Sequence, residues 1–249
     1  MARDGDETWP PIIHPLQATH VVQSVALANC YTLVRMWVHR SPGSEAFVAD
    51  ALRREMERLV KDDPEDDLGA LAAFQAYFLY CVLLYFVPLE GFARANDGTM
   101  ITLHEMAFRT ARKGLVCAAE EAGGSQPAWE SWIVAATKRR AIFSLSLFDI
   151  VYNAERQAPT FVSDELRDAF VPEGRAVWQA TTRAKWQREY ARYWSLWEGD
   201  GRGAVRICEL WTPPETGARE RRDRIDRWVE VADEFGMMLF ALCVHIHGY

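Results

Sequence analysis

A run of 20 residues without a charged side chain, Leu68 to Val87, limits the folds open to this chain more than any other feature. A helix of that length and apolarity is long enough to cross a bilayer. The run nevertheless contains Gln75, stops at Pro88, and is the only strongly apolar stretch of its length. These features favour the central helix of a helical bundle, and we predict no membrane span.

Helical patterns dominate the remaining sequence, whereas the alternation of apolar and polar residues that is typical of strands is missing. We therefore predict an all-α fold, with an N-terminal extension over residues 1–15 and one all-helical domain over 16–249. Within that domain the segment 141–152 is apolar on nearly all sides, which indicates a helix enclosed by others.

Local signals predict where several helices begin and end. Ser44 is expected to cap a helix, and Thr102 with Glu105 has the spacing of a capping box whose helix would run to Gly123. A long helix should begin after Ser125, with Pro127, and end before Pro159. After residue 214 we expect one last helix of about 28 residues, charged in its first half and buried in its second.

Charge and cysteine content exclude several classes of function. The net charge is -7 and no basic stripe is present, so we expect no direct nucleic-acid binding. Five cysteines lie far apart and form no CxxC, as ordinary thiols of a cytoplasmic protein do. No phosphate loop, nucleophile elbow or HExxH motif is found, and the histidine spacing fits no metal site, so we predict no metal and no cofactor.

Four segments resemble, in order and spacing, the regulatory domain of fungal zinc-cluster transcription factors. They are LAAFQAYFLYCVLLYF at 71–86, WESWIVAATKRR at 129–140, the apolar helix at 143–152 and VWQATTRAKW at 177–186. The resemblance implies an all-helical domain that receives signals, forms a homodimer or holds an inhibitory contact. The clustered cysteines that read DNA in that family are absent here.

The size, the helical content and the lack of a DNA reader or cofactor motif also resemble the fungal tropolone-sesquiterpenoid hetero-Diels-Alderases. That resemblance implies a cofactor-independent enzyme of secondary metabolism, which would join a reactive polar partner to an apolar terpene-like polyene by cycloaddition. The alternative is a non-enzymatic regulator or metabolite-sensing domain derived from a zinc-cluster transcription factor. Both alternatives have an apolar small molecule as a partner.

Asp149, Tyr152 and Arg140 are the candidate catalytic residues. A carboxylate within an apolar helix must pair, accept hydrogen bonds or shift its pKa, and an arginine partner is the structural alternative for Asp149. Tyr152 would donate to a substrate oxygen while Asp149 orients it. Of Arg139 and Arg140 we expect one to point inward and the other to meet water, and an inward guanidinium would either polarise an enone or form an ion pair.

Aromatic and polar residues on two further helices are candidates for substrate binding. Trp186, Tyr190, Trp194 and Trp197 recur at helical spacing, so their rings should share one face, as core or as the wall of an apolar pocket. The first helix would contribute three polar side chains, namely His20, Tyr31 and Arg35.

Overall fold

The computed structural model describes residues 9–18, 24–62, 64–92, 94–112, 114–121, 126–159, 166–199, 201–211 and 218–247. This part of the chain forms twelve helices and no strand, with one isolated bridge between Phe170 and Arg206, which confirms the all-α prediction. The helices are α1 Pro15–Ala18, α2 Val25–Val38, α3 Glu45–Lys61, α4 Asp67–Phe86, α5 Asp97–Ala111, α6 Ala118–Glu121, α7 Trp129–Glu155, α8 Arg175–Trp178, α9 Arg183–Ser195, α10 Ile207–Trp211, α11 Ala218–Val229 and α12 Glu234–His247.

The chain divides into two compact units. The first unit is Leu16–Gly114, and the second is Leu115–Tyr249 together with the segment that ends at Pro15. The single domain over 16–249 stays a prediction. Within the predicted extension, Ile12, Ile13 and His14 are buried, so these residues belong to a core.

The first unit is built around α4, which packs against α2, α3 and α5. The Asp66 carboxylate accepts a hydrogen bond from the Gly69 N–H at 2.6 Å and so caps the start of α4. By length and composition, α4 is the one helix of the described chain that could cross a membrane. Two thirds of its most apolar window is buried inside the structure, as in the central helix of a soluble bundle.

Helix α3 follows its predicted apolar pattern, whereas α5 does not. The side-chain cap expected from Ser44 was wrong, because the Ser44 hydroxyl donates to the Ser41 carbonyl at 2.7 Å instead of accepting from the start of α3. The residues Leu52, Met56 and Leu59 of α3 are all buried on one face, as expected of an amphipathic helix. The capping box assigned to Thr102 and Glu105 was wrong. The cap of α5 lies six residues earlier, because Asn96 and Thr99 form the capping box. The helix ends at Ala111 and does not reach the glycine pair, which lies outside the described residues.

In the second unit, α7 is the central helix and ends at Glu155, before Pro159 as predicted. All residues from Ala135 to Ser146 are buried, but Glu130 near the start of α7 is exposed and the end of the apolar segment reaches the surface, since Val151 is 42% exposed.

The prediction of one last helix was wrong, because α11 and α12 are separate helices. Asp233 accepts a hydrogen bond from the Gly236 N–H at 2.9 Å and thereby starts α12. Only one face of α12 is buried, since Leu239 and Cys243 are enclosed while Met238 is 49% exposed.

Candidate functional site

A cleft of about 400 Å³ lies within the first unit, between α3, α4 and the segment that leads into α5. Its apolar wall includes Trp37, Leu52, Met56, Tyr77, Leu84 and Phe92. Its polar lining comprises Asp50, Arg53, Glu57, Arg94, Asn96 and Thr99. An apolar cavity of this volume with a few polar groups is the usual form of a small-molecule site.

The sequence creates this space through small side chains on α3. Ala46 and Ala49 lie on the α3 surface that lines the cleft, next to the larger Leu52 and Met56. Alanine extends only a methyl group, so the volume that a leucine or an aromatic residue would occupy stays open. The cleft therefore depends on residue size at two helical positions.

Two buried aromatic residues give the cleft a rigid wall. Trp37 is fully buried, and its indole N–H donates to the Val87 carbonyl at 2.9 Å. Burial raises the pKa of Tyr77 to about 12, and the nearby Cys81 adds to this effect, while a hydrogen bond with Thr102 opposes it. The Tyr77 hydroxyl is therefore neutral at physiological pH.

The acidic residues at the cleft are already paired with cations. Arg53 contacts Asp50 and Glu57, each at 2.5 Å, and Arg54 contacts the other Asp50 oxygen at 2.7 Å. The hydrogen bond from Arg53 keeps the pKa of Asp50 below its usual value. Exposed ion pairs of this kind add little stability, but they neutralise this side of the cleft.

Arg94 and the start of α5 form the opposite side of the rim. Asn96 and Thr99 are occupied by the capping box, since the Asn96 side chain accepts from the Thr99 N–H at 3.1 Å and the Asn96 N–H donates to the Thr99 hydroxyl at 2.8 Å. These bonds fix the rim, because they satisfy backbone N–H groups that a helix start leaves open. Arg94 is exposed and makes no ion pair with any residue that the structure describes.

Nine residues were selected from the sequence, and none of the eight that the structure describes lines this cleft. Tyr31 and Arg35 are in the first unit but form an exposed pair on α2, with the guanidinium 2.7 Å from the phenol oxygen. His20 lies outside the described residues. The other six belong to the second unit.

A buried charged cluster surrounds Arg139 in the second unit. Its guanidinium pairs with Glu120 at 3.2 Å and with Glu173, and Glu173 also accepts from the Trp132 indole N–H at 3.0 Å. Burial disfavours the charge on Arg139, but the two carboxylates outweigh this effect and raise its pKa. Burial acts to raise the pKa of Glu120, but the charge and hydrogen bonds of Arg139 act more strongly in the opposite direction. The pKa of Glu120 is therefore below its usual value. The cluster is a structural ion-pair network in which one guanidinium pairs with two carboxylates.

Arg140 is also fully buried, so the expectation that one of the two arginines meets water was wrong. Arg140 pairs with Asp233 at 2.6 Å, and its guanidinium lies 4.0 Å from the centre of the Trp178 ring and 5.0 Å from that of Phe235. The ion pair that was the alternative for these arginines is thereby confirmed. A catalytic role for Arg140 stays a prediction.

Asp149 and Tyr152 lie in the part of α7 that approaches the surface. Asp149 is half-buried, whereas Tyr152 is 4% exposed. The Tyr152 ring packs on Phe148, with centroids 6.3 Å apart, and carries the Arg156 guanidinium 3.6 Å from its centre. Their proposed catalytic pairing stays a prediction.

The aromatic face of α9 is confirmed for Trp186, Tyr190 and Trp194, whereas Trp197 lies beyond the end of α9 and its ring contacts Tyr193 instead. Ring centroids are 4.9 Å apart between Trp186 and Tyr190 and 5.9 Å apart between Tyr190 and Trp194. Trp186 and Tyr190 are buried and contact Trp132, while Trp194 is half-buried against Phe170. This packing is that of a core, and a role as a pocket wall stays a prediction.

Sequence reasoning missed the residues that do line the cleft, above all Trp37, Tyr77, Phe92 and Arg94. The first two stand in apolar helices, where an aromatic residue is normally core. The available signal was the pair Ala46 and Ala49 beside a leucine and a methionine on one helix face. That pattern does not reveal whether another helix fills the space.

Comparisons with protein families, with curated proteins and with solved structures find no match for this chain. Within the described ranges, no group of three or more His, Cys, Asp or Glu side chains is placed to hold a metal ion.

Proposed function

We propose that the protein binds an apolar small molecule in the cleft of the first unit and acts there as a cofactor-independent biosynthetic enzyme. The reaction is a cycloaddition of the hetero-Diels-Alder type between a reactive polar partner and an apolar terpene-like polyene. The observation that supports binding is the cleft itself, since its volume of about 400 Å³ falls within the range of roughly 300 to 1,000 Å³ typical of ligand sites.

Such a reaction asks little of the protein beyond position and polarity. Holding two reactants at bonding distance replaces a bimolecular encounter by a nearly unimolecular step. The apolar wall around Trp37 and Leu84 would hold the polyene, and Arg94 would donate hydrogen bonds to an oxygen of the polar partner. This arrangement needs no nucleophile and no proton transfer, in keeping with the neutral Tyr77 and the paired acids of the cleft.

A second candidate is a metabolite-sensing regulator, which one feature of α5 favours. The start of this helix lines the cleft through Asn96 and Thr99. Further along the same helix, Ile101 is 61% exposed and Phe108 is 54% exposed, and their separation of seven residues places them on one face. A ligand that moves the start of α5 would move an apolar surface suited to a protein partner.

The two candidates are distinguished by turnover. We would delete the gene for this protein in its source organism, prepare a metabolite extract of that strain and incubate the extract with the purified protein. Mass spectrometry would then search for a product with the summed mass of two precursors. Product in large excess over protein supports the enzyme. A metabolite retained in equal amount and unchanged supports the sensor.

The matched control is Ala49→Trp, which places a large side chain in the cleft. Circular dichroism would show that this variant keeps its helices. The proposal predicts loss of conversion or retention in the folded variant. Undiminished conversion by Ala49→Trp would place the reaction elsewhere, and an absence of both conversion and retention in the unaltered protein would reject both candidates.

A further inference from the structure

The four charged residues that line the cleft, Asp50, Arg53, Glu57 and Arg94, sum to zero, but their ion pairs leave one of the four without a partner among the described residues. The two acids, Asp50 and Glu57, are both held by Arg53, and Asp50 is held by Arg54 as well. Two carboxylates are thus matched by two guanidinium groups on α3. Arg94 is left as a positive charge without an ion-pair partner in the described chain.

We infer that the cleft selects an amphipathic organic anion, whose apolar body lies against the aromatic wall and whose acidic oxygen group pairs with Arg94. This inference rests on the proposed function, because it names the chemical class of the ligand for the same cleft. A guanidinium presents a planar set of donors that matches a carboxylate or a similar anion in two hydrogen bonds.

The other polar groups of the cleft favour an anion over a cation. The carboxylates of Asp50 and Glu57 already receive hydrogen bonds from arginines, so a cationic ligand would have to displace an existing ion pair. Asn96 and Thr99 are engaged with each other at the start of α5. Arg94 is the group that can meet a ligand charge without breaking a contact.

A matched pair of fluorescent probes tests this inference. Anilinonaphthalene sulfonate and neutral N-phenyl-naphthylamine share one aromatic skeleton and differ by the sulfonate, and both become fluorescent in apolar sites. We expect the anionic probe to bind the unaltered protein roughly five- to tenfold more tightly, as one charge-assisted contact at a partly exposed site provides. The preference should shrink at high ionic strength.

Two variants assign that preference to Arg94. Arg94→Gln should abolish the preference for the anion, because it should lower the affinity for the anionic probe far more than the affinity for the neutral probe. Arg112→Gln removes an exposed arginine of the same unit that does not line the cleft, and it should keep the preference. Ala49→Trp should weaken both probes, because it fills the space that both occupy.

The outcomes separate this inference from the proposed function. Binding of the neutral probe with no preference for the anion, or a preference that survives Arg94→Gln, overturns the inference and leaves the cleft as a ligand site. Equal weakening of both probes by Arg94→Gln also overturns it, because the residue would then act on the shape of the cleft. If neither probe binds, or Ala49→Trp weakens neither, the proposed cleft function fails together with the inference.

Discussion

Protonation of His14 should make the stability of the second unit depend strongly on pH. The ring is fully buried, with its centroid 4.9 Å from that of Trp178 and 6.0 Å from that of Trp132. Burial lowers the pKa of His14 from 6.5 to about 4, and the charge of Arg140 lowers it as well, while a hydrogen bond with the Trp178 backbone opposes both. The folded protein therefore holds this imidazole neutral.

The sign of the effect follows from the two pKa values. Between pH 6.5 and about pH 4, the unfolded chain binds a proton at His14 that the folded chain does not, so the free energy of unfolding decreases as the pH falls. The full difference is about 3 kcal/mol below pH 4, and about 2 kcal/mol of it is lost between pH 7.5 and pH 5. The stabilisation is thus complete above pH 6.5.

The measurement is urea unfolding at pH 7.5 and pH 5, followed by tryptophan fluorescence. All tryptophans except Trp37 belong to the second unit, so the signal reports on the unit that contains His14. His14→Leu, which cannot titrate, should reduce the pH-dependent loss by about 2 kcal/mol. Replacement of the exposed His39 by glutamine should leave the loss unchanged.

Glu120 does not obscure this window. The charge of Arg139 outweighs the effect of burial and holds the pKa of Glu120 below 4.5, so its contribution is lost only at lower pH. An equal loss of stability in the unaltered protein and in His14→Leu would refute the reasoning, because the titrating group would then be another residue.

Three further changes test other parts of the structure. Glu173→Gln should lower the free energy of unfolding by about 2 kcal/mol in urea titrations, because Arg139 and the Trp132 indole lose a charged acceptor while Arg139 keeps Glu120. No measurable loss would contradict the buried network. Asn96→Ala should lower the free energy of unfolding by about 1 kcal/mol through loss of the α5 cap, and it should weaken binding of the neutral probe to the cleft. An unchanged thermal unfolding curve would contradict the role of Asn96 as a cap. Tyr152→Phe should keep the fold and leave conversion in the extract assay unchanged, because Tyr152 belongs to the second unit and does not line the cleft, and reduced conversion by the folded variant would move the reaction to that unit.

Helix boundaries show how far local sequence signals carry. The start of α4 at Asp67 and the end of α7 at Glu155 were predictable, because an acidic cap and a following proline act within a few residues. The start of α5 was not, since Asn96 and Thr102 are both plausible first residues of a capping box. The break before α12 was missed because Asp233 caps a helix within a stretch whose apolar pattern continues.

The candidate site was less predictable than the fold. Asp149 drew attention as a carboxylate within an apolar segment, yet it is half-buried near the end of α7. Arg94 gave no such signal, because a lone arginine in a polar loop is ordinary. Its significance arises from the ion pairs that neutralise Asp50 and Glu57 on another helix.

The sequence by itself determined the class of fold, because helical periodicity, caps and helix-breaking residues act between near neighbours. Only the tertiary structure decided which polar residues are enclosed. Adjacent residues on a helix point about 100° apart, so the sequence predicts that only one of Arg139 and Arg140 points inward. In the structure both arginines and the neighbouring Lys138 are buried. The burial of Arg139 and Arg140 is compensated by Glu120, Glu173 and Asp233, which arrive from distant parts of the chain. The cleft likewise exists because four separate segments leave the space beside two alanines unfilled, and long-range packing of that kind has no local sequence signal.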